Sequence, residues 1–135
     1  MSDKFTLTFT ACPDHIDELG HVNNTVWVGW VQDIATAHWK AASRAEDYDK
    51  FFWVVIRHEI DYRGNIADGE SVSGETWIDG LAQGAKSDRR VDFRNQAGKV
   101  IVSARTTWAM LDKDSQRLVR VRPEVIKPFR VTGES

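Results

Sequence analysis

The 135-residue chain predicts an α+β fold in which a curved antiparallel sheet wraps one long helix. Three observations carry this. One alternating strand opens the chain, a segment apolar on nearly every side follows, and the rest reads as consecutive strands separated by turn residues. A helix apolar round most of its circumference must be covered by other structure, and the consecutive strands supply the cover.

The elements follow in order. Phe5, Leu7, Phe9 and Ala11 alternate with Thr6, Thr8 and Thr10, the pattern of a half-buried strand. Residues 12–23 read as a loop broken by Pro13 and Gly20. Over Asn24–Ala42 the period becomes helical: Trp27, Val31, Ile34, Ala35, His38, Trp39 and Ala42 share one face, and Val26, Val28, Gly29, Trp30 and Ala37 widen it. Trp27, Val31, Ile34 and Ala35 are expected to be buried. Gly29 costs about 1 kcal/mol relative to Ala in a helix, so either a close contact sits there or the glycine is merely tolerated. Residues 46–50 form an acidic connector. Strands are then expected over 52–62, 70–79, 86–94 and 99–111, punctuated by Gly64-Asn65, Gly69, Gly80, Asn95 to Gly98 and the turn 112–116. Pro123 starts a short terminal helical turn over Pro123–Ile126. No repeat or linker divides residues 1–135, which form one domain long enough to bury a core without staples.

Composition bounds the function. Apolar content of 41% and charged content of 28% are those of a soluble globular protein. The net charge of -2 argues against nucleic acid as a partner. Residues 1–70 carry 6 Lys/Arg against 12 Asp/Glu, and 71–135 carry 12 against 8. No signal peptide or membrane-length apolar run is seen, and the single Cys12 excludes an internal disulfide; both point to a cytoplasmic protein with no membrane partner. The spacing of His15, His21, His38 and His58 fits no metal site, so no metal is expected.

The chemistry concentrates in Asp17-Glu18-Leu19-Gly20-His21-Val22-Asn23-Asn24, which runs directly into Thr25-Val26-Trp27-Val28-Gly29-Trp30. Asparagine caps helices well, so this polar cluster sits at the positive end of the long helix, where free backbone N–H groups can hold an anion. From the residues alone two readings stand. One is a capped helix with solvated loop acids. The other is a carboxylate beside oxyanion donors, arranged to attack a carbonyl carbon or to activate a water that does.

The run resembles the hotdog-fold thioesterases, above all the 4-hydroxybenzoyl-CoA thioesterase-like group. It is similar also to the N-terminal repeat of plant acyl-ACP thioesterases, where His-Val-Asn-Asn and a following Gly-Trp recur. The motif covers Asp17 to Trp30, and the order of elements matches over nearly the whole chain. The resemblance implies hydrolysis of an acyl-CoA to free acid and CoA, without a cofactor. It assigns Asp17 as nucleophile or general base. The helix start itself makes the backbone N–H groups of Asn24 and Thr25 the candidate oxyanion donors. The resemblance also implies a homodimer, or a tetramer made as a dimer of dimers, with two sheets joined edge to edge and active sites between subunits. His21 stands where acyl-ACP thioesterases carry a functional histidine. That family has Asn two residues earlier, where this chain has Leu19, so the Asp-x-Asn-x-His pattern is incomplete.

For substrate binding the candidates are the Asn23 side chain, Trp27 as a pocket wall, and Lys86, Arg89 and Arg90 for the phosphates of CoA. The rival nucleophile is Cys12 with His15 or His21 as base, against its reading as a small buried residue ending the first strand. Asp14 is a second loop acid, and Glu59 and Asp61 are acids on a strand. Hydrolysis of acyl-ACP and non-catalytic binding of acyl-CoA are the alternatives to acyl-CoA hydrolysis. A hotdog dehydratase fits less well, because acid and histidine here share one loop.

Overall fold

Alternation builds the sheet. In the computed structural model, which describes residues 4–131, Phe5, Leu7 and Phe9 of β1 (Phe5–Thr10) turn inward while its threonines stay exposed. The same alternation recurs in β3 (Ser71–Ile78) and β4 (Lys86–Arg94). With β2 (Phe51–Tyr62) and β5 (Val100–Asp112) these strands form one antiparallel sheet in the order β1-β3-β4-β5-β2. The helix α1 (Asn24–Ala42) lies between the two edge strands in sequence and packs across the sheet.

The buried face of α1 is Trp27, Trp30, Val31, Ile34, Ala35 and His38, as the periodicity requires. Its N-terminal part packs on Val72, Val91, Phe93 and Val102. Its C-terminal end is covered by the last segment, α3 (Pro123–Ile126) and the 3-10 turn Lys127–Phe129, with the Phe129 ring 5.5 Å from that of Trp39. Gln32, Asp33, Thr36 and Lys40 remain exposed on the far side. A Cβ at Gly29 would meet nothing within 4 Å, so within the chain that glycine is tolerated and not required. Close approaches lie instead at Gly64, where a Cβ would come 2.9 Å from Ile101, and at Gly74, where it would come 3.0 Å from Ile34 and 3.1 Å from Phe93.

Two expectations are corrected. Residues 46–50 are not a connector but belong to a second helix, α2 (Ala45–Lys50). Asp47 of that helix is buried and takes a two-pronged grip from Arg44, at 2.8 and 3.0 Å. This ion pair turns the chain from α1 into β2. The second correction is Cys12, which is exposed rather than buried.

A polar cluster centred on Arg89 interrupts the core. Arg89, 6% exposed, donates from Nη1 to His38 Nδ1 at 2.8 Å and to Thr76 Oγ1 at 3.1 Å. His38 is stacked on Phe5 and meets Phe129 edge-on. Burial first, and then the Arg89 charge, push the His38 imidazole down to about 3. The unfolded chain therefore binds more protons than the native one between about pH 3 and the usual histidine range near 6.5. Stability is expected to fall as pH drops through that window, by up to about 1.4 kcal/mol per pH unit. Urea titrations between pH 7 and 5 test this, before the carboxylates protonate. His38→Gln keeps an acceptor for Arg89 but does not titrate, and should flatten the slope. An unchanged slope would contradict the assignment.

Candidate active site

Residues 16–22 fold back on themselves as a small hairpin held by an antiparallel bridge between Ile16 and Val22. Asp17 closes it: its N–H donates to the His21 carbonyl at 2.9 Å, and its carbonyl accepts from Gly20 N–H at 3.1 Å. Gly20 takes φ 82°, a left-handed conformation that glycine adopts without strain. The Asp17 carboxylate lies over this turn, with Oδ1 accepting from the N–H of Leu19 at 2.9 Å and of His21 at 3.3 Å. Asp17 is half-buried, whereas Glu18, Leu19, Gly20 and His21 are exposed at the tip.

The hairpin delivers the chain to the start of α1. Asn23 is the cap, its Oδ1 accepting from Thr25 N–H and Thr25 Oγ1, both at 2.9 Å. Of the two expected oxyanion donors, Thr25 N–H is therefore engaged by the cap. Asn24 N–H has no acceptor among the described residues. Asn24 is exposed, so its N–H stands open at the positive end of the helix.

Asn65 ties this corner together. Its Nδ2 donates to the Val22 carbonyl at 3.1 Å, and its Oδ1 accepts from Trp27 Nε1 at 3.3 Å and Ile66 N–H at 2.8 Å. The segment after β2, the site hairpin and the first turn of α1 are thus one hydrogen-bonded unit. As a sequence, Gly64-Asn65 reads only as a strand stop.

The other sequence candidates separate. The His21 imidazole makes no hydrogen bond to Asp17; the two residues are joined through backbone. Trp27 is fully buried against Trp30 and Phe93, so it is core and not a pocket wall in this structure. Lys86, Arg89 and Arg90 do not converge: Arg89 points into the domain, while Lys86 is exposed and Arg90 reaches Asp79 at 3.5 Å on the outer face. His15 Nδ1 accepts from the Cys12 N–H at 3.1 Å, which occupies the nitrogen nearest to Cys12 with backbone. Asp14 is exposed in the 3-10 turn Pro13–His15. Glu59 and Asp61 lie exposed on β2, beside Arg57 and Arg63 at 3.6 and 3.7 Å. Among the described residues no cluster of His, Cys, Asp and Glu fits a metal ion, and no helix is long and apolar enough to cross a membrane.

The sequence matches the model of the acyl-ACP thioesterase N-terminal domain over residues 2–129. The chain belongs to that family. None of the curated proteins matches it in sequence. Among solved structures, an acyl-ACP thioesterase from Bacteroides thetaiotaomicron superposes with a TM-score of 0.81 at 22% identity, over 94% of this chain and 53% of that one. The chain thus spans about half the length of that relative. A Staphylococcus aureus protein in complex with CoA gives a TM-score of 0.81 at 11% identity, over 95% of this chain and 82% of that one. A predicted thioesterase from Bacillus stearothermophilus gives 0.80 at 20% identity, over 94% and 96%. The α+β architecture is that of the hotdog thioesterases: one long helix on a five-stranded antiparallel sheet.

Proposed function

We propose that this domain hydrolyses an acyl-CoA to a free carboxylic acid and CoA at the Asp17 hairpin. One observation carries the reading: a carboxylate fixed through Oδ1 over a turn, next to a helix start whose Asn24 N–H is open. Asp17 attacks the thioester carbonyl carbon, or takes a proton from a water that attacks it. Negative charge then develops on the carbonyl oxygen, and Asn24 N–H with the helix dipole receives it. The C–S bond breaks, and the departing thiolate takes up a proton. Where Asp17 is the nucleophile, water then cleaves the acyl–Asp17 anhydride, which releases the free acid and restores the carboxylate. His21, exposed at the hairpin tip, is the group to orient water or return that proton. Asn23 supports the site by holding the first turn of the helix. No cofactor takes part. CoA as substrate and one exposed thiol suit a cytoplasmic protein.

The S. aureus protein in complex with CoA supports CoA as the carrier. The family description favours acyl-ACP as the second reading. One acyl group presented on both carriers decides between them. A higher kcat/KM on CoA is expected, and a higher value on the carrier protein would favour the alternative.

The working unit is a homodimer, alone or as half of a tetramer, joined through the outer edges of β2. This edge strand pairs with β5 on one side and leaves the other side open. It exposes Val54, Ile56 and Tyr62, at 40, 49 and 41%. A free edge of this length carrying apolar side chains needs covering. Light scattering at micromolar concentration should give at least twice the chain mass; a monomer would contradict a site shared between subunits.

A further inference from the structure

A cavity of about 240 Å³ opens between the C-terminal half of α1, α2 and the β4–β5–β2 side of the sheet. Its walls are largely aromatic, including Trp39, Phe51, Trp53 and Trp108. The parity of β4 places Ser87 and Arg89 on the helix side, and Trp108 lies opposite Ser87 in the neighbouring strand. All three line the cavity.

The polar groups there are not satisfied by the protein. Ser87 Oγ and Trp108 Nε1 are buried without a hydrogen-bond partner among the described residues. Arg89 bonds to two neutral groups, His38 and Thr76, and no carboxylate lies within 4.0 Å of it among the described residues. Burial lowers its guanidinium to about 9, which leaves it a cation at neutral pH. A second cation, the exposed Lys113, stands at the cavity rim, and no acid lines the cavity. A buried charge without a counter-charge costs several kcal/mol, and this one faces a space in which an anion would offset that cost.

We propose that the cavity holds the acyl group of the substrate and that Arg89, Ser87 and Trp108 bind a carboxylate at the end remote from the thioester. The inference rests on the thioesterase reading above and names its substrate class: acyl-CoA esters of dicarboxylic acids. The space takes about eight water-sized groups, the bulk of a short acyl chain and far less than CoA itself. A carboxylate brings the single charge and the two-oxygen edge that a guanidinium matches, whereas a phosphate dianion would call for a second buried cation. The aromatic walls suit the methylene chain between the two ends.

The reach to Asp17 follows from the dimer. Within one protomer Trp39 lies roughly 20 Å along the helix from Asn24, too far for one short acyl group. Antiparallel pairing of two β2 edges sets the Phe51 end of one protomer beside the Tyr62 end of its partner. Asn65, which ties down the site hairpin, follows directly after that Tyr62 end. In the proposed dimer the cavity of one protomer would thus face the hairpin of its partner.

The test compares adipoyl-CoA with hexanoyl-CoA, which match in length and differ in the terminal carboxylate. Wild type should favour adipoyl-CoA in kcat/KM by roughly 10- to 100-fold, the range of a charged hydrogen-bonded contact. Arg89→Met should collapse that ratio, and Ser87→Ala should reduce it while keeping a folded protein. Equal rates on the two esters in wild type, or a ratio unmoved by both substitutions, would overturn the proposal while the thioesterase reading stands. If neither ester is hydrolysed, calorimetry with monomethyl adipate and methyl hexanoate, which differ only in the free terminal carboxylate, replaces the rate assay. Monomethyl adipate binding that Ser87→Ala weakens would then support the pocket independently of the thioesterase reading, and equal or absent binding of the two esters would overturn the pocket.

Discussion

Replacing Asp17 by Asn is expected to lower thioesterase kcat by on the order of 10²-fold or more, with fold and oligomer unchanged. The hydrogen bonds make this substitution informative. Oδ1 of Asp17 accepts from Leu19 and His21 N–H, and an asparagine Oδ1 can accept from the same two donors. The hairpin should therefore keep its shape. What is lost is the anionic charge that attacks the carbonyl or takes a proton from water. Circular dichroism and gel filtration that match wild type would rule out unfolding as the cause. Cys12→Ala is the companion control and should keep activity, because Cys12 is exposed and the nearest ring nitrogen of His15 is engaged by backbone. If Asp17→Asn retains near-normal kcat, the assignment is wrong, and Asp14, Glu59 and Asp61 become the acids to substitute.

The second large effect concerns Trp27. This side chain is fully buried, with ring centroids 5.1 Å from Trp30 and 5.2 Å from Phe93, and its Nε1 is one of the bonds that hold Asn65. Trp27→Ala removes a large aromatic volume from a packed core and should cost about 3–5 kcal/mol. Trp27→Phe keeps much of the volume and loses the bond to Asn65, so its cost should be smaller. Because Asn65 also carries the Val22 carbonyl, Trp27→Phe is expected to loosen the site hairpin more than its stability loss suggests. Urea unfolding gives the stability and amide exchange at His21 and Val22 gives the hairpin. A cost below 1 kcal/mol for Trp27→Ala would show that the core is not built as described.

What could be read from the sequence was what local periodicity encodes. The helix begins and ends where the apolar spacing and the Asn23 cap place it, and β4 has the bounds its alternation gives. The α2 segment was illegible because it is short and polar, and its one buried residue, Asp47, is an acid that only the Arg44 contact makes tolerable. Arg89 shows the same difficulty in the site. Its parity with Val91 and Phe93 puts it on the inner face, yet a cation in a strand reads as surface, and its partners His38 and Thr76 are 51 and 13 residues away. Asn65 is likewise defined by contacts 43 and 38 residues distant, which no local pattern contains. The Asp17 hairpin was legible because its acid, glycine, histidine and cap fall within one short run.

The central claim is that this domain cleaves acyl thioesters, and the direct measurement is thiol release by the purified wild-type protein from a panel of acyl-CoA esters. The panel should span short, long, aromatic and carboxylate-bearing acyl groups. The expected result is saturable release of CoA from at least one ester, far above the rate in buffer, with free acid formed in equal amount. Release no faster than in buffer across the whole panel, from a folded protein, would contradict the account.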